Sequence, residues 1–239
     1  MHGRFLTIFY LAVATLYIQS CKDKAKPAGS AALATTVRAD TIHIGDLIFH
    51  IDTITEEEFK KAKAFVYDTS ELRNLERDSA QVRRQDSTLF FKTAAGKEVT
   101  LKDVDAEDDS YSRFYYMGKI NEAGQYLSYG SFYEWFNYFL ISDSTGDTTI
   151  LWGEPQISPD HKYIFTGNVD LDAGYTYNGF QLFTVEDRTL WLIGDVHLDN
   201  WGPSEIKWLS NTELLVKRDV WDSTQVNGIR KDYIKLSMR

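Results

Sequence analysis

Three segments in the second half of the chain share one short pattern: an apolar residue, a polar turn, then an apolar strand. They read GKINEAGQYLSYG, PQISPDHKYIFTG and IKWLSNTELLVKR. Tyr126, Tyr163 and Leu214 hold matching places in them, 37 and 51 residues apart. Each segment is followed by a further strand-like run, NYFLISDSTGDTTILWG, GFQLFTVEDRTLWLIG and KDYIKLSM. A period near 40 residues with several strands per unit marks an array in which each unit buries its face against the next. The chain is therefore expected to be mainly β, an antiparallel multi-hairpin assembly forming a single domain over residues 41–239, with 115–239 as its repeat-like part.

The turn SPDHKYIF, Ser158 to Phe165, resembles the hairpin S-P-D-G-K-x-I of TolB/WD40-like propeller repeats, with His161 where glycine is usual. That resemblance implies a propeller-like arrangement of sheets and a surface for proteins or other large ligands. A closed ring needs at least four blades, and three repeats plus two N-terminal hairpins leave both an open stack and a small ring as expectations.

The first hairpin is TIHIGDLIFHID, turning at Gly45-Asp46, and the second is STLFFKTAAGKEVTLKD, turning at Ala95-Gly96. Between them, Thr55 and Glu58 form a capping box with three acids in the first turn. Phe59, Ala62, Phe65 and Val66 share one face, so a short helix is expected from Glu56. The charged run SELRNLERDSAQVRRQ, with Leu72, Leu75 and Val82 as a thin apolar stripe, reads as a second, solvated helix. Asp105 to Ser110 packs four acids into six residues and reads as a solvated linker.

The single cysteine, Cys21, follows a different kind of segment. Arg4 precedes an apolar run from Phe5 to Ile18, too short to span a hydrocarbon core of about 30 Å, and Gln19-Ser20 completes a secretory signal over residues 1–20. The sequence IQSC resembles the lipobox of bacterial lipoproteins. The resemblance implies a diacylglycerol on Cys21, a membrane partner through that lipid, and a place in the cell envelope. Lys22 after the cysteine implies the outer membrane. Residues 21–40, small and polar without period, read as a flexible tether.

The formal charge of −9 with scattered lysines argues against nucleic acid as a partner. The chain has no nucleophile elbow, phosphate-binding glycine loop or H-E-x-x-H, and no cofactor or metal is expected. His197 between Asp195 and Asp199 reads as a polar loop. The calcium-like spacing at Asp170, Asp172 and Gly174 has Gln181 where the closing glutamate belongs, and SDSTGD, with Asp143 and Asp147, reads as a turn. Aromatic residues in polar, glycine-containing segments are the strongest candidates for binding: Trp135 within SFYEWFNYF, Tyr175 and Tyr177 within DAGYTYNGF, and Trp201 within DNWGPSEIKW. Two functions follow. One is a non-catalytic binding or scaffolding module for a protein or glycan of the envelope. The other is an envelope polysaccharide hydrolase drawing paired carboxylates from Asp170, Asp172, Asp195 or Asp199.

Overall fold

A computed structural model describes Thr36, Val37 and residues 40–239; the signal, Cys21 and most of the tether lie outside the described residues. Along the chain, β1 (Thr36–Val37), β2 (Thr41–Ile44) and β3 (Leu47–Ile54) lead into helix α1 (Glu56–Lys61) and, after a strap of extended chain, helix α2 (Glu71–Arg77). Strands β4 (Val82–Gln85), β5 (Thr88–Lys92) and β6 (Glu98–Lys102) make a three-stranded sheet. Strands β7 (Ser112–Ile120), β8 (Gln125–Phe132), β9 (Phe136–Ser142) and β10 (Thr148–Leu151) make a second sheet. A third holds β11 (Gln156–Ile157), β12 (Tyr163–Asn168), β13 (Gly179–Glu186) and β14 (Thr189–His197). Finally β15 (Trp201–Trp208), β16 (Glu213–Trp221) and β17 (Ile229–Met238) join β3, β2 and β1 in a six-stranded fourth sheet. All pairings are antiparallel, so the mainly β, multi-hairpin architecture read from the repeats is the architecture found.

The sheets are stacked, and alternation along the strands explains the stacking. Side chains of a strand point to opposite faces in turn. In β8 and β9, Tyr126, Phe139 and Ile141 enter a core shared with the first sheet, beside Leu89, Phe91 and Phe114. Their neighbours Leu127 and Leu140 enter a second core shared with the third sheet, beside Ile164 and Phe183. In β12, Ile164 faces back into that core, while Phe165 faces forward into the one shared with the fourth sheet, beside Leu214, Val216 and Ile234. The continuous apolar runs of the middle sheets are therefore the signature of strands buried on both faces. Three cores hold four sheets in line, and no buried cluster joins the first sheet to the fourth among the described residues. The arrangement is an open stack.

The two N-terminal hairpins do not pair with each other. The first joins the C-terminal sheet, Met238 pairing with Phe49 and Tyr233 with Ile54, while the second belongs to the first sheet of the stack. The capping box at Thr55 and Glu58 is present, but α1 stops at Lys61 because Ala62 turns extended, which leaves Phe65 and Val66 on the strap. The second helix is also shorter than its charge pattern suggests. It ends at Arg77, and Val82 to Gln85 is strand β4, with Val82 buried in the first core. Thr36–Val37 pairs with β2, so part of the span read as tether is a strand.

The repeat has a specific backbone meaning. Gly124 and His161 sit at the same place in the turns before β8 and β12, with φ of 62° and 60°. Each turn closes with the same bond, Gly124 N–H to Asn121 O and His161 N–H to Ser158 O. Ser158 Oγ donates to Asp160 and accepts from the Tyr163 N–H, which completes the hairpin chemistry of SPDHKY. A left-handed residue with a Cβ is strained where glycine is not. His161→Gly should therefore raise stability by about 0.5–1 kcal/mol, read as a higher urea midpoint at unchanged slope. An unchanged or lower midpoint counts against the assignment. Of the three matching residues, Tyr126 and Leu214 are buried, whereas Tyr163 is half-buried at the rim of the third core beside Trp208.

Candidate functional site

The four sheets present their ends in common. At one end, Arg188 in the β13–β14 turn donates to Asn121 O and pairs with Asp143, tying the third sheet to the second. Ala94 N–H donates to Asp143 O there, tying the first sheet to the second, and Trp208 Nε1 donates to Gln156 O, tying the fourth to the third. The Gly45-Asp46 turn lies at this end too, because β2 and β3 pair on down to Ile44 and Leu47. Thr36 pairs with His43 beside that turn, so the chain enters the domain here.

The opposite end carries the aromatic loops. Trp135, in the β8–β9 turn, stacks flat on Phe132 with ring centroids 3.8 Å apart. Tyr133, Trp135, Tyr175, Tyr177 and Trp221 are all exposed at this end. Tyr177 stacks over the buried Trp152 at 4.6 Å, and His197 joins the pair at 4.7 Å from Trp152, so the ends of the second and third sheets meet in one aromatic cluster. Asn178 anchors the loop by donating to both Leu198 O and Trp201 O. Trp201 itself opens β15 and is half-buried against the fourth sheet's core, with the Arg218 guanidinium 4.9 Å above its ring. It is therefore part of the wall, while Tyr175, Tyr177 and Trp135 are the parts offered to solvent.

Asp170 accounts for the shape of that loop. Burial alone would raise its carboxyl, but it accepts from the Thr176 and Gly174 N–H groups and from Thr176 Oγ1, and these hold it below the usual carboxylate range. Both of its oxygens are committed to the loop. Asp195 lies in β14 opposite Gln181, and Asp172 and Asp199 are exposed. Among the described residues, no three His, Cys, Asp or Glu side chains converge as a metal site would require. Cys21 lies outside the described residues.

Two features were not legible from the sequence. One is a row of rings across the second sheet, Tyr115, Tyr129 and Tyr138 on neighbouring strands, with Phe136 alongside. The three tyrosines stand opposite one another by strand register, Tyr115 with Tyr129 and Tyr129 with Tyr138. The other is a groove along the strap that joins α1 to α2. The strap runs past β11 and β15, and Tyr67 fixes it by donating to Pro155 O. Burial raises the Tyr67 and Tyr138 hydroxyls, and the nearby Glu154 carboxylate adds to the rise in both. Glu154 is itself pushed above the ordinary carboxylate range by the protein packed around it. FYYMG and YLSYG each hold a tyrosine of the row and one that faces the first core instead, so membership depends on pairing. The chain matches no family model, no curated protein and no solved structure.

Proposed function

We propose that the protein is a non-catalytic recognition module of a bacterial cell envelope, held at the outer membrane by lipid on Cys21. Its partner is a protein or glycan engaged by the aromatic end. The observation that carries this reading is the opposition of the two ends. The chain enters beside the Gly45-Asp46 turn, and Trp135, Tyr175 and Tyr177 stand at the other end of the stack. If the fourteen residues from Lys22 to Thr35 form the flexible tether their composition suggests, they would reach roughly 20 Å, and a nine-residue strand adds about 30 Å. An anchored domain thus carries its exposed rings some ~50 Å from the lipid, beyond the headgroup layer, where a large partner can reach them. Tyrosine and tryptophan suit such contact because they cover much area at low conformational cost.

The test is binding of the lipidated protein to isolated envelope fragments, followed by cosedimentation. The double variant Trp135→Ala/Tyr175→Ala should weaken binding at least about tenfold, since two exposed anchors each contribute on the order of 1–2 kcal/mol. Its melting temperature should stay within a degree or two, because both rings are largely outside the cores. Binding that survives the double variant, or that depends on the Ser158 turn end instead, would overturn the reading.

A further inference from the structure

We propose that the groove beside the strap is a second binding site, distinct from the aromatic end, and that it takes an uncharged oligosaccharide. Two joined depressions, about 230 and about 370 Å³, run between the strap and the edges of β11 and β15, and both are lined by Ala64, Phe65 and Gln156. Together they fall within the range of small-ligand sites.

The groove wall holds one buried acceptor that nothing in the protein meets. Gln156 is only 6% exposed, and its Oε1 is buried with no hydrogen-bond partner among the described residues. A buried acceptor left unmet costs about 1–3 kcal/mol, so native proteins supply a partner, a ligand or a water. Glu154, exposed, lines the larger depression and makes no ion pair among the described residues, so its carboxylate can accept from a hydroxyl. The Phe65 ring is 47% exposed on the strap, although it is neither at a domain interface nor in a core. An apolar ring face next to unmet acceptors matches a pyranose, whose C–H face is apolar and whose rim is hydroxyl donors.

Charge narrows the class. Glu154 and Glu205 line the larger depression, and a formal charge of −9 repels anionic sugars. Lys63 lines the smaller one and opposes a cation there, while the two glutamates make a cation the competing occupant of the larger one. The Phe65 ring and the neutral Gln156 acceptor call for hydroxyls around an apolar face, which an uncharged glycan supplies and a cationic chain does not.

The experiment is calorimetric titration of the full-length protein in detergent with maltohexaose, cellohexaose, chitohexaose and mannohexaose. Hexagalacturonate and hexalysine serve as charged controls. At least one uncharged hexasaccharide should bind with Kd below about 10 mM, and each charged control should bind at least about tenfold more weakly. Gln156→Leu and Phe65→Ala should each weaken that binding at least about tenfold, while Trp135→Ala/Tyr175→Ala leaves it unchanged. Gln156→Leu should also keep or raise the denaturation midpoint, because it removes a buried unmet acceptor, and no merely structural role for Gln156 moves stability and affinity in opposite directions. The proposal is overturned if no uncharged hexasaccharide binds, if both groove variants bind like the wild type, or if hexalysine binds tightest. It is likewise overturned if Gln156→Leu lowers the midpoint, which would mark a site filled by water alone. Wild-type protein that fails to bind envelope fragments while still binding the hexasaccharide would count against the aromatic end alone.

Discussion

Replacing Cys21 by serine should move the protein completely from the membrane fraction to the aqueous phase. In a bacterium that processes lipoproteins, the wild type should partition into detergent and Cys21→Ser should not. The size of the effect follows from lipid energetics. Each buried CH₂ contributes about 0.8 kcal/mol, and two acyl chains anchor a protein stably where one does so marginally. Among the described residues no helix is long and apolar enough to cross a membrane, so nothing in the ordered part offers a helical anchor in its place. Wild-type protein that remains in the aqueous phase would remove the lipid reading, and the orientation argued from it.

The second large effect lies in the cores. Phe165→Ala should cost about 3–5 kcal/mol, since the ring is fully buried between the third and fourth sheets and stacks on Phe180 at 5.0 Å. Tyr163→Ala, two residues earlier and on the same face, should cost about 1–2 kcal/mol, because that ring lies half-buried at the rim. The contrast, measured by urea denaturation, tests the stack itself. Equal costs would mean that the third core does not taper toward its end in the way described.

How far the fold can be read in advance depends on the range over which each signal acts. The Thr55–Glu58 capping box, the Gly45 and Gly96 turns and the SPDHKY hairpin are local, and all three kinds of signal appear where expected. The charge pattern overextends helix α2 because Arg83 and Arg84 look solvated in the text. In the folded chain Arg84 bridges Glu71 and Asp103 and donates to Phe114 O, so its charge is met inside strand pairing. The tyrosine row is hidden because its members lie on three strands whose register the sequence does not state.

Close backbone contacts are hidden as well. A Cβ on Gly153 would overlap the Gly167 carbonyl oxygen, and one on Gly179 would overlap that of Val196. Neither glycine sits in a turn motif that could announce it. Polar neighbours place Trp201 among the loop aromatics, yet β15 begins with it and Arg218 covers its ring. The aromatic candidates are thus half legible. Composition finds the rings, and only the topology sorts those facing solvent from those forming wall.

The six-stranded sheet joins the two termini of the domain, since β17 pairs with β3 on one side and β16 on the other. Phe49 and Met238 meet although almost the whole domain lies between them in sequence. Closing so long a loop is slow relative to forming local hairpins, because its entropy is lost before the contacts reward it. A chain emerging from its N-terminus can pair β7 with β8 or β12 with β13 as each hairpin appears. Strands β2 and β3 must wait without this neighbour until the ten residues of β17 arrive. The domain is therefore a late-closing one, in which the N-terminal hairpin is the last to be locked, and a stop codon before Ile229 would leave that hairpin without its neighbour.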